Sequence, residues 1–350
     1  MNVWIQIVAI VAALLLVALL LFALGLDVPE AFGALLAGSF GSASAIGETI
    51  VKMTPLIFTG LSFALASRCG LINIGGEGQL YVGGLCATVV GLYLHLPAPL
   101  HILFAVLAGF VGGALWGMLA AALKVRFGAS ELITTIMLNY IGNYLVNYLV
   151  TGPMIEVKGN QPQTALVDVT AQFPRLISGT RIHLGIVIAI LCIVIYYIFL
   201  WHTKTGFQTR VVGLNPNAAK YAGINNNRRT LMAMFIAGGF SGLAGVVEIL
   251  GIQLRLYQDF SPGYGFDGIA VALLGQNSPI GILFSALLFG AMRAGSNQMQ
   301  IRASVPVALV YVFQAIVIVL VIASQYLAEM RKHWAIRKQA EGDQQDGLYC

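Results

Sequence analysis

Charged residues are scarce in this sequence. Only 9% of its 350 residues are Asp, Glu, Lys or Arg, whereas 58% are hydrophobic; an ordinary soluble domain is about one quarter charged and about half apolar. Several apolar runs reach the roughly 20 residues that an α-helix needs to cross a bilayer, whereas β-barrel strands would appear as alternating segments about ten residues long. The composition therefore predicts an all-α polytopic membrane protein.

The sequence also lacks the short motifs of nucleotide and metal chemistry. No glycine precedes a lysine, which excludes the G-x-x-x-x-G-K-[ST] phosphate loop, and there is no H-E-x-x-H motif. The four cysteines have neither metal nor redox spacing. We therefore expect no metal, no cofactor and no enzymatic activity in this chain, so any energy that it uses must come from a partner or an ion gradient.

The distribution of basic residues predicts topology. The net charge of +5 does not indicate a nucleic-acid partner, because the basic residues cluster in short loops and in the segment 331–338. Cytosolic loops of membrane proteins are enriched in lysine and arginine. We therefore predict that both termini are cytosolic, with residues 1–330 forming a transmembrane domain and residues 331–350 a cytosolic tail.

Eight long apolar segments and one broken pair of segments predict about ten membrane crossings in total. The long segments lie near 4–25, 53–69, 79–95, 100–123, 132–150, 183–202, 230–251 and 306–327. The broken region, 267–294, is interrupted by "GQNSPIG" at 275–281. Between the spans we predict outer loops at 26–50 and 151–182 and a large cytosolic loop at 203–229.

Glycines recur every fourth residue on two of the predicted helices. Gly109, Gly113 and Gly117 lie on one, and Gly238 and Gly242 lie on another. Small residues with this spacing let helices approach closely in lipid. We interpret them as packing positions.

The fifth span, "ELITTIMLNYIGNYLVNYLV", carries two polar stripes. Its amides repeat at i, i+4 and i+8 and therefore share one helix face, with phenol rings on the adjacent face. The residues are Asn139, Asn143 and Asn147, followed by Tyr140, Tyr144 and Tyr148. Two interpretations remain open: the stripes bind a neutral polar ligand with ring faces and hydroxyls, or the amides hydrogen-bond to neighbouring helices, at roughly 1 kcal/mol each.

Polar segments interrupt the apolar pattern at two places. The first is "GLINIGGEGQLYVGG" at 70–84, which contains Asn73, Glu77 and Gln79. Non-helical backbone at membrane depth is tolerated only where protein buries it or where it lines a water-filled cavity. We expect a structural gate here, in which these side chains satisfy exposed backbone or face a translocation cavity.

The second interruption lies in the broken region. Asp267 precedes it and Asn277 lies within it. Ionisable groups at membrane depth are functional candidates by default, and Glu248 belongs to the same class. Because Asp267 and Glu77 lie at breaks, we expect the backbone at both to be non-helical and both side chains to line the substrate pathway.

The cytosolic loop at 203–229 contains the signals of a short helix. Asn215 followed by Pro216 is typical of a helix start, and Gly223 is typical of a helix stop. A short surface helix of this kind is suited to docking into a groove of another protein.

Five stretches of the sequence, spread across most of the chain, carry a family resemblance. They are "PLIFTGLSFALASRCGLINIGGEGQ" (55–79), "ELITTIMLNYI" (131–141), "VVGLNPNAAKYAGI" (211–224), "GGFSGLAGVVEILG" (238–251) and "GYGFDGIAVALLGQNSPIGILFSALLFG" (263–290). The chain resembles the membrane permease subunits of bacterial ABC importers of the branched-chain amino acid, ribose and nucleoside class. Within that class it is most similar to the nucleoside and simple-sugar permeases.

The resemblance implies partners as well as a function. It implies a nucleoside importer in the bacterial plasma membrane, with a second permease subunit, a cytosolic ATPase carrying two cassettes that bind ATP and Mg²⁺, and an extracytoplasmic substrate-binding lipoprotein. It also implies that 211–224 couples to the ATPase. The matching positions in that segment are Asn215, Pro216, Ala218, Ala219, Tyr221 and Gly223.

Two alternatives remain at this point. One is a monosaccharide permease of the same class, since sugars also suit the amide and phenol stripes, which a branched-chain amino acid would leave unexplained. The other is an ion-gradient-driven carrier that uses Glu77, Glu248 or Asp267 for coupling.

Overall fold

The computed structural model describes residues 3–156, 161–306, 308–320 and 323. Thirteen α-helices account for most of these residues, together with a 3₁₀ turn at Val169–Ala171 and a π-helix at Glu248–Gln253. In chain order the α-helices are α1 Val3–Ala23, α2 Val28–Phe40, α3 Ala43–Arg68, α4 Gly76–Tyr93, α5 Ala98–Phe127, α6 Glu131–Thr151, α7 Gly185–His202, α8 Lys204–Leu214, α9 Pro216–Tyr221, α10 Asn226–Val247, α11 Tyr264–Leu274, α12 Pro279–Ala303 and α13 Ala308–Leu320. The predicted tail at 331–350 lies outside the described residues.

Five helices within the described ranges are long and apolar enough to cross a membrane by length and composition. They are α3, α5, α7, α12 and the continuous helix formed by α10 and the π-helix. Shorter apolar helices include α2, α11 and α13. The all-helical, polytopic class is confirmed, whereas the number of crossings and the side on which each terminus lies remain predictions.

The chain divides into two compact units. The described residues within 39–294 form the larger unit, and those within 3–38 and 295–323 form the smaller one. In the smaller unit, Gly38 of α2 packs against Gln298 and Gly295 of α12. In the larger unit, α3 and α10 are the central helices, because nearly every side chain in their apolar stretches is buried.

The predicted glycine stripes face each other in the larger unit. A Cβ added to Gly113 of α5 would lie 2.5 Å from the carbonyl oxygen of Gly238 of α10, and Gly242 of α10 lies against the backbone of Gly109. Such contacts leave no room for any side chain at these positions. The interpretation of these glycines as packing positions is confirmed, with α5 and α10 as each other's partner.

One predicted loop is wrong. The segment 26–50, rich in small residues, was expected to be an outer loop between two spans, but it contains α2 and the start of α3. Alanine and leucine are strong helix formers, and Ser42 caps α3 by accepting a hydrogen bond from the Ala45 nitrogen at 3.1 Å. Small residues therefore mark a helix here.

The expectation of non-helical backbone at Glu77 and Asp267 is also wrong. Glu77 is the second residue of α4, and Asp267 lies in the first turn of α11. The breaks precede both residues, so each carboxylate lies at a helix N-terminus, where the helix dipole favours negative charge. The backbone just before each helix carries the irregular structure instead.

Candidate functional site

The break between α3 and α4 is held by a pair of buried amides. Asn73 Nδ2 donates to Gln79 Oε1 at 3.1 Å, and Gln79 Nε2 donates back to Asn73 Oδ1 at 3.0 Å. Asn73 Oδ1 also accepts from the Gly75 nitrogen at 3.1 Å, and its Nδ2 reaches Ser62 Oγ at 3.3 Å. Asn73 and Gln79 therefore hydrogen-bond to each other, and Asn73 also bonds to the backbone of the break. This is the first of the two expected roles, in which these side chains satisfy exposed backbone.

Asn139 ties this break to α6. Its Oδ1 accepts from the Gly78 nitrogen at 2.8 Å, and its Nδ2 donates to the Ile74 carbonyl at 2.9 Å. The side chain is 5% exposed. Both polar ends of this amide are thus occupied by backbone groups, which corresponds to the second of the two interpretations of the stripe.

The N-termini of α4 and α11 meet inside the larger unit. Glu77 Oε2 accepts a hydrogen bond from the Gly265 backbone nitrogen at 2.6 Å, and the Gly265 backbone packs directly against Gly76 and Glu77. A carboxylate in this position caps the start of α11 and interacts favourably with its dipole. Glu77 therefore joins the first predicted break to the N-terminus of α11, the helix that precedes the second.

Asp267 is neutralised by an ion pair in the same region. Its Oδ2 lies 2.7 Å from Arg293 Nη2 and 2.9 Å from Arg293 Nε. The guanidinium also lies 4.8 Å from the centroid of the Tyr264 ring and donates to the Pro262 carbonyl at 3.1 Å. The sequence did not single out Arg293, although a lone arginine in an apolar helix next to a predicted carboxylate is a signal that was available.

The remaining amides of the stripe converge on a residue that the sequence did not identify. Asn143 Nδ2 donates to Asp259 Oδ1 at 3.0 Å, and Asn147 Nδ2 reaches the same oxygen at 3.3 Å and Asn143 Oδ1 at 2.7 Å. Asn147 Oδ1 in turn accepts from the Asp259 nitrogen at 3.3 Å. We call Asn143, Asn147 and Asp259 the amide–carboxylate cluster. The two amides are half-buried, and Asp259 is exposed.

A cavity of about 500 Å³ opens beside this cluster, and Asp259 is part of its lining. Four glutamines, a proline, a guanidinium and a phenol also line it: Gln161, Gln163, Gln253, Gln258, Pro162, Arg255 and Tyr257. Gln253 Nε2 donates to Oε1 of the buried Glu248 at 2.8 Å, so the π-helix connects the cavity to that carboxylate. Pockets for small ligands have volumes of about 300 to 1,000 Å³ and contain a few oriented polar groups.

The phenol stripe is directed elsewhere. Tyr140 and Tyr144 are 58% and 68% exposed and are therefore on the outer surface of α6 in the described chain. The structure thus joins Asn143 and Asn147 to Asp259 in the cavity wall, whereas the two tyrosines lie on a different face. Their predicted contact with substrate stays a prediction.

The "GQNSPIG" break lies at the opposite end of α11 from Glu77. Gln276 and Asn277 have φ angles of +54° and +52°, and their carbonyls accept from Arg68 Nη2 at 3.3 and 3.2 Å. Tyr196 Oη donates to the Asn277 carbonyl at 2.9 Å, and Asn277 Nδ2 donates to Ser67 Oγ at 3.1 Å. These groups satisfy two carbonyls of the turn that follows α11, and Asn277 is not among the residues that line the cavity.

The predicted short helix in the loop at 203–229 is confirmed as α9. Asn215 Oδ1 accepts from the nitrogens of Asn217 and Ala218, both at 3.0 Å, and Pro216 occupies the first turn. Gly223 follows the helix with a φ of +73°, which favours glycine. An additional helix, α8, precedes α9 and was not predicted.

The outer surface of α9 is prominent. Tyr221 is 95% exposed, whereas Ala219 on the other face is fully buried and Ala218 is exposed. At the base of α8, Gly213 lies against the backbone of Arg68 and Gly70. The α8–α9 segment is thus packed directly on the end of α3 while it presents an aromatic side chain outward.

Comparison with known proteins gives a consistent family. Residues 45–322 match the family described as "Branched-chain amino acid transport system / permease component". The guanosine ABC transporter permease protein NupP of Bacillus subtilis is 37% identical over 328 residues, which cover 92% of this chain and 93% of NupP. The nucleoside ABC transporter permease protein NupB of Lactococcus lactis subsp. cremoris is 38% identical over 339 residues, covering 94% of this chain and 93% of NupB.

A sugar permease is similar as well. The glucose ABC transporter permease protein TsgB13 of Haloferax volcanii is 34% identical over 335 residues, covering 93% of this chain and 88% of TsgB13. Two further permeases, one from each of the same two bacteria, resemble this chain more distantly. The guanosine ABC transporter permease protein NupQ of Bacillus subtilis is 29% identical over 255 residues, and the nucleoside ABC transporter permease protein NupC of Lactococcus lactis subsp. cremoris is 27% identical over 259, each covering 70% of this chain and 79% of the relative.

Proposed function

Because the chain belongs to the family of branched-chain amino acid transport system permease components, we propose that it is the permease subunit of an ATP-binding cassette importer for nucleosides. Family membership makes it a transport component rather than an enzyme. The main support for a nucleoside as the cargo is the identity of 37% and 38% to a guanosine and a nucleoside permease over more than nine tenths of the chain. The cavity beside the amide–carboxylate cluster supports the same cargo.

The chemistry of the cavity suits a nucleoside. Its amides and the carboxylate of Asp259 offer donors and acceptors for ribose hydroxyls and base edges, and Tyr257 offers a ring face for the base. In this proposal Asn143, Asn147 and Asp259 contact the cargo. Asn73, Glu77, Gln79 and Asn139 instead hold the junction of α4 and α11, the gate through which cargo passes.

The assembly follows from the relatives. NupP and NupQ come from one organism and NupB and NupC from another, which supports a second, paralogous permease beside this chain. A tandem-cassette ATPase would bind ATP and Mg²⁺ on the cytosolic side and dock on α9, and an extracytoplasmic lipoprotein would deliver the cargo. The proposed location is the plasma membrane of a bacterium, with both termini in the cytosol.

Charge supports this orientation. The end of the larger unit that carries Arg68, α8 and α9 also carries Lys204, Arg210 and Lys220, and an excess of basic residues is typical of the cytosolic side. We call it the cytosolic end. The cavity lies beside the end of the π-helix and the segment 161–163, within the predicted outer loop.

Two observations bear on the alternatives. The similarity to a glucose permease favours a monosaccharide as the second candidate cargo. A gradient-driven carrier is less well supported, because Glu77 is engaged by the Gly265 nitrogen and Asp267 by Arg293. Engaged carboxylates of this kind are suited to a structural role rather than to cyclic ion binding.

The experiment is uptake of labelled nucleosides, glucose, ribose and leucine by cells that lack and then regain this gene. The proposal expects restored uptake of nucleosides alone and its loss when cellular ATP is depleted while the proton gradient is kept. Restored sugar uptake without nucleoside uptake would move the assignment to the second candidate. Uptake that persists without ATP would overturn the importer class.

A further inference from the structure

Two arginines flank one tryptophan at the cytosolic end. The Cζ atoms of Arg68 and Arg210 lie 5.6 Å and 5.8 Å from the centroid of the Trp201 ring. Each contact is within the range of a cation–π interaction. The two guanidinium groups are therefore separated by no more than the sum of these distances, although they come from α3 and α8.

No carboxylate compensates these two charges in the part of the chain that the structure describes. The ion pairs found there use Lys124, Arg181, Arg255 and Arg293. The Nε atoms of Arg68 and Arg210 are buried without a hydrogen-bond partner among the described residues. Like charges repel each other, so an anion that accepts hydrogen bonds from both guanidinium groups would be stabilising.

The surroundings of Trp201 indicate where that anion comes from. Trp201 is near the end of α7, and Tyr197 stacks on it with ring centroids 5.6 Å apart and an angle of 25°. Ile190, Val194 and Tyr197 share one face of α7 with Trp201 and are 51%, 46% and 47% exposed. This exposed apolar face continues from the membrane interior to the arginine pair.

The length of α7 places Trp201 near one boundary of the hydrocarbon. The 18 residues of α7 span about 27 Å at about 1.5 Å per residue, close to the roughly 30 Å of a hydrocarbon core, and Trp201 is the second-last of them. Tryptophan and tyrosine are enriched where the hydrocarbon meets the headgroups. Arg68 and Arg210, which contact Trp201, therefore lie near the headgroup phosphates when α7 crosses the bilayer.

We propose that Arg68, Arg210 and Trp201 form a binding site for an anionic phospholipid of the cytosolic leaflet. The headgroup phosphate accepts hydrogen bonds from the two guanidinium groups, and one acyl chain lies along Ile190, Val194 and Tyr197. Guanidinium groups match phosphate geometry, and basic pockets between transmembrane helices on the cytosolic side are suited to anionic headgroups. The site depends on the membrane location and orientation but not on the cargo.

The site has a structural consequence. Arg68 also holds the carbonyls of Gln276 and Asn277, which follow α11, and Arg210 belongs to α8, which leads directly into α9. A lipid bound to both arginines therefore contacts the end of the broken helix pair and the segment proposed to couple to the ATPase. Anionic lipid should stabilise the arrangement of these elements.

The test is lipid binding by the purified, assembled transporter in a neutral detergent, titrated with phosphatidylglycerol, phosphatidylcholine or inorganic phosphate. We expect tighter binding of phosphatidylglycerol than of phosphatidylcholine. Arg210→Gln should weaken phosphatidylglycerol binding about fivefold, the usual effect of one basic residue near an anionic surface. Trp201→Leu should weaken it too, since it removes the ring on which both arginines rest.

The control is Arg228→Gln, which removes the same charge from an exposed position near the start of α10, at the same end of the bundle. Equal weakening by this control would overturn the site, because it would show a general effect of surface charge.

Equal affinity for the two lipids, or displacement of the lipid by inorganic phosphate at similar concentration, would also overturn it. If Arg210→Gln leaves lipid binding unchanged but less ATPase copurifies with the permease, the lipid site is overturned and Arg210 is assigned to a protein contact instead. Nucleoside uptake, measured separately, tests the cargo independently.

Discussion

The carboxylate of Glu77 accepts a hydrogen bond of 2.6 Å from the backbone nitrogen of Gly265, 188 residues further along the chain. This bond joins the first turn of α4, which follows the first predicted break, to the first turn of α11, which precedes the second. Both helices therefore start at the same place inside the protein. A substitution that alters the N-terminus of one helix therefore also removes or shifts a hydrogen-bond partner of the other.

Glu77 should act as a helix cap rather than as an ion-coupling group. Glu77→Ala leaves the buried Gly265 nitrogen without its acceptor, so we expect a loss of about 1–3 kcal/mol in unfolding free energy. Glu77→Gln keeps an acceptor oxygen and should retain most of the stability and the uptake. Thermal unfolding in detergent, with nucleoside uptake in cells, measures both. Loss of uptake in a fully stable Glu77→Gln variant would favour ion coupling.

Asp259 should contribute directly to cargo binding. Asp259→Ala removes the acceptor that organises Asn143 and Asn147 and one wall of the cavity. Hydrogen bonds that involve charged groups contribute about 1.5–3 kcal/mol, so the apparent KM for nucleoside uptake should rise at least about tenfold. Glu30→Ala is the control, since it removes an exposed carboxylate of α2, which belongs to the smaller unit. An unchanged KM in Asp259→Ala would remove the cluster from the cargo site.

The contact between α5 and α10 should tolerate no side chain. Gly113→Ala places a Cβ 2.5 Å from the Gly238 carbonyl oxygen, and overpacking of this kind typically costs about 1–3 kcal/mol. Gly33→Ala in α2 is the control, because its Cβ would meet no atom within 4 Å. The melting temperature should fall for the first variant and stay or rise for the second. Equal melting temperatures would contradict the close packing of the two helices.

Tyr221 should matter for coupling but not for folding. The side chain is 95% exposed, so Tyr221→Ala should leave the melting temperature of the permease unchanged. If α9 docks on the ATPase, the same variant should lose most of the cargo-stimulated ATP hydrolysis and uptake. Tyr221→Phe, which keeps the ring, should retain both activities. Full stimulation in Tyr221→Ala would place the ATPase contact elsewhere.

The sequence predicted best those features that depend on neighbouring residues. Asn215, Pro216 and Gly223 each act within one turn of α9, and their cap, first-turn and stop roles are all present. The glycine spacing likewise predicted close helix contacts, although it did not indicate that α5 and α10 are partners. Local chemistry of this kind needs no knowledge of the tertiary fold.

Contacts between distant segments were not predictable in the same way. Asp259 meets Asn147 across 112 residues, and nothing in the pattern around "YQDFSPG" indicates that pairing. The amide stripe was identified, yet it serves two purposes: Asn139 bonds to backbone, whereas Asn143 and Asn147 bond to Asp259 in the cavity wall. Helix periodicity places residues on a common face but does not say what packs against each turn of it.

The most direct test of the central claim is ATP-dependent nucleoside uptake by proteoliposomes containing this permease, its proposed paralogue and the ATPase, with the substrate-binding lipoprotein added outside. The account predicts accumulation of labelled nucleoside that requires ATP inside the vesicles, that excess unlabelled nucleoside abolishes and that excess glucose leaves unchanged. Accumulation that is blocked by glucose but not by unlabelled nucleoside, or that proceeds without ATP, would contradict it.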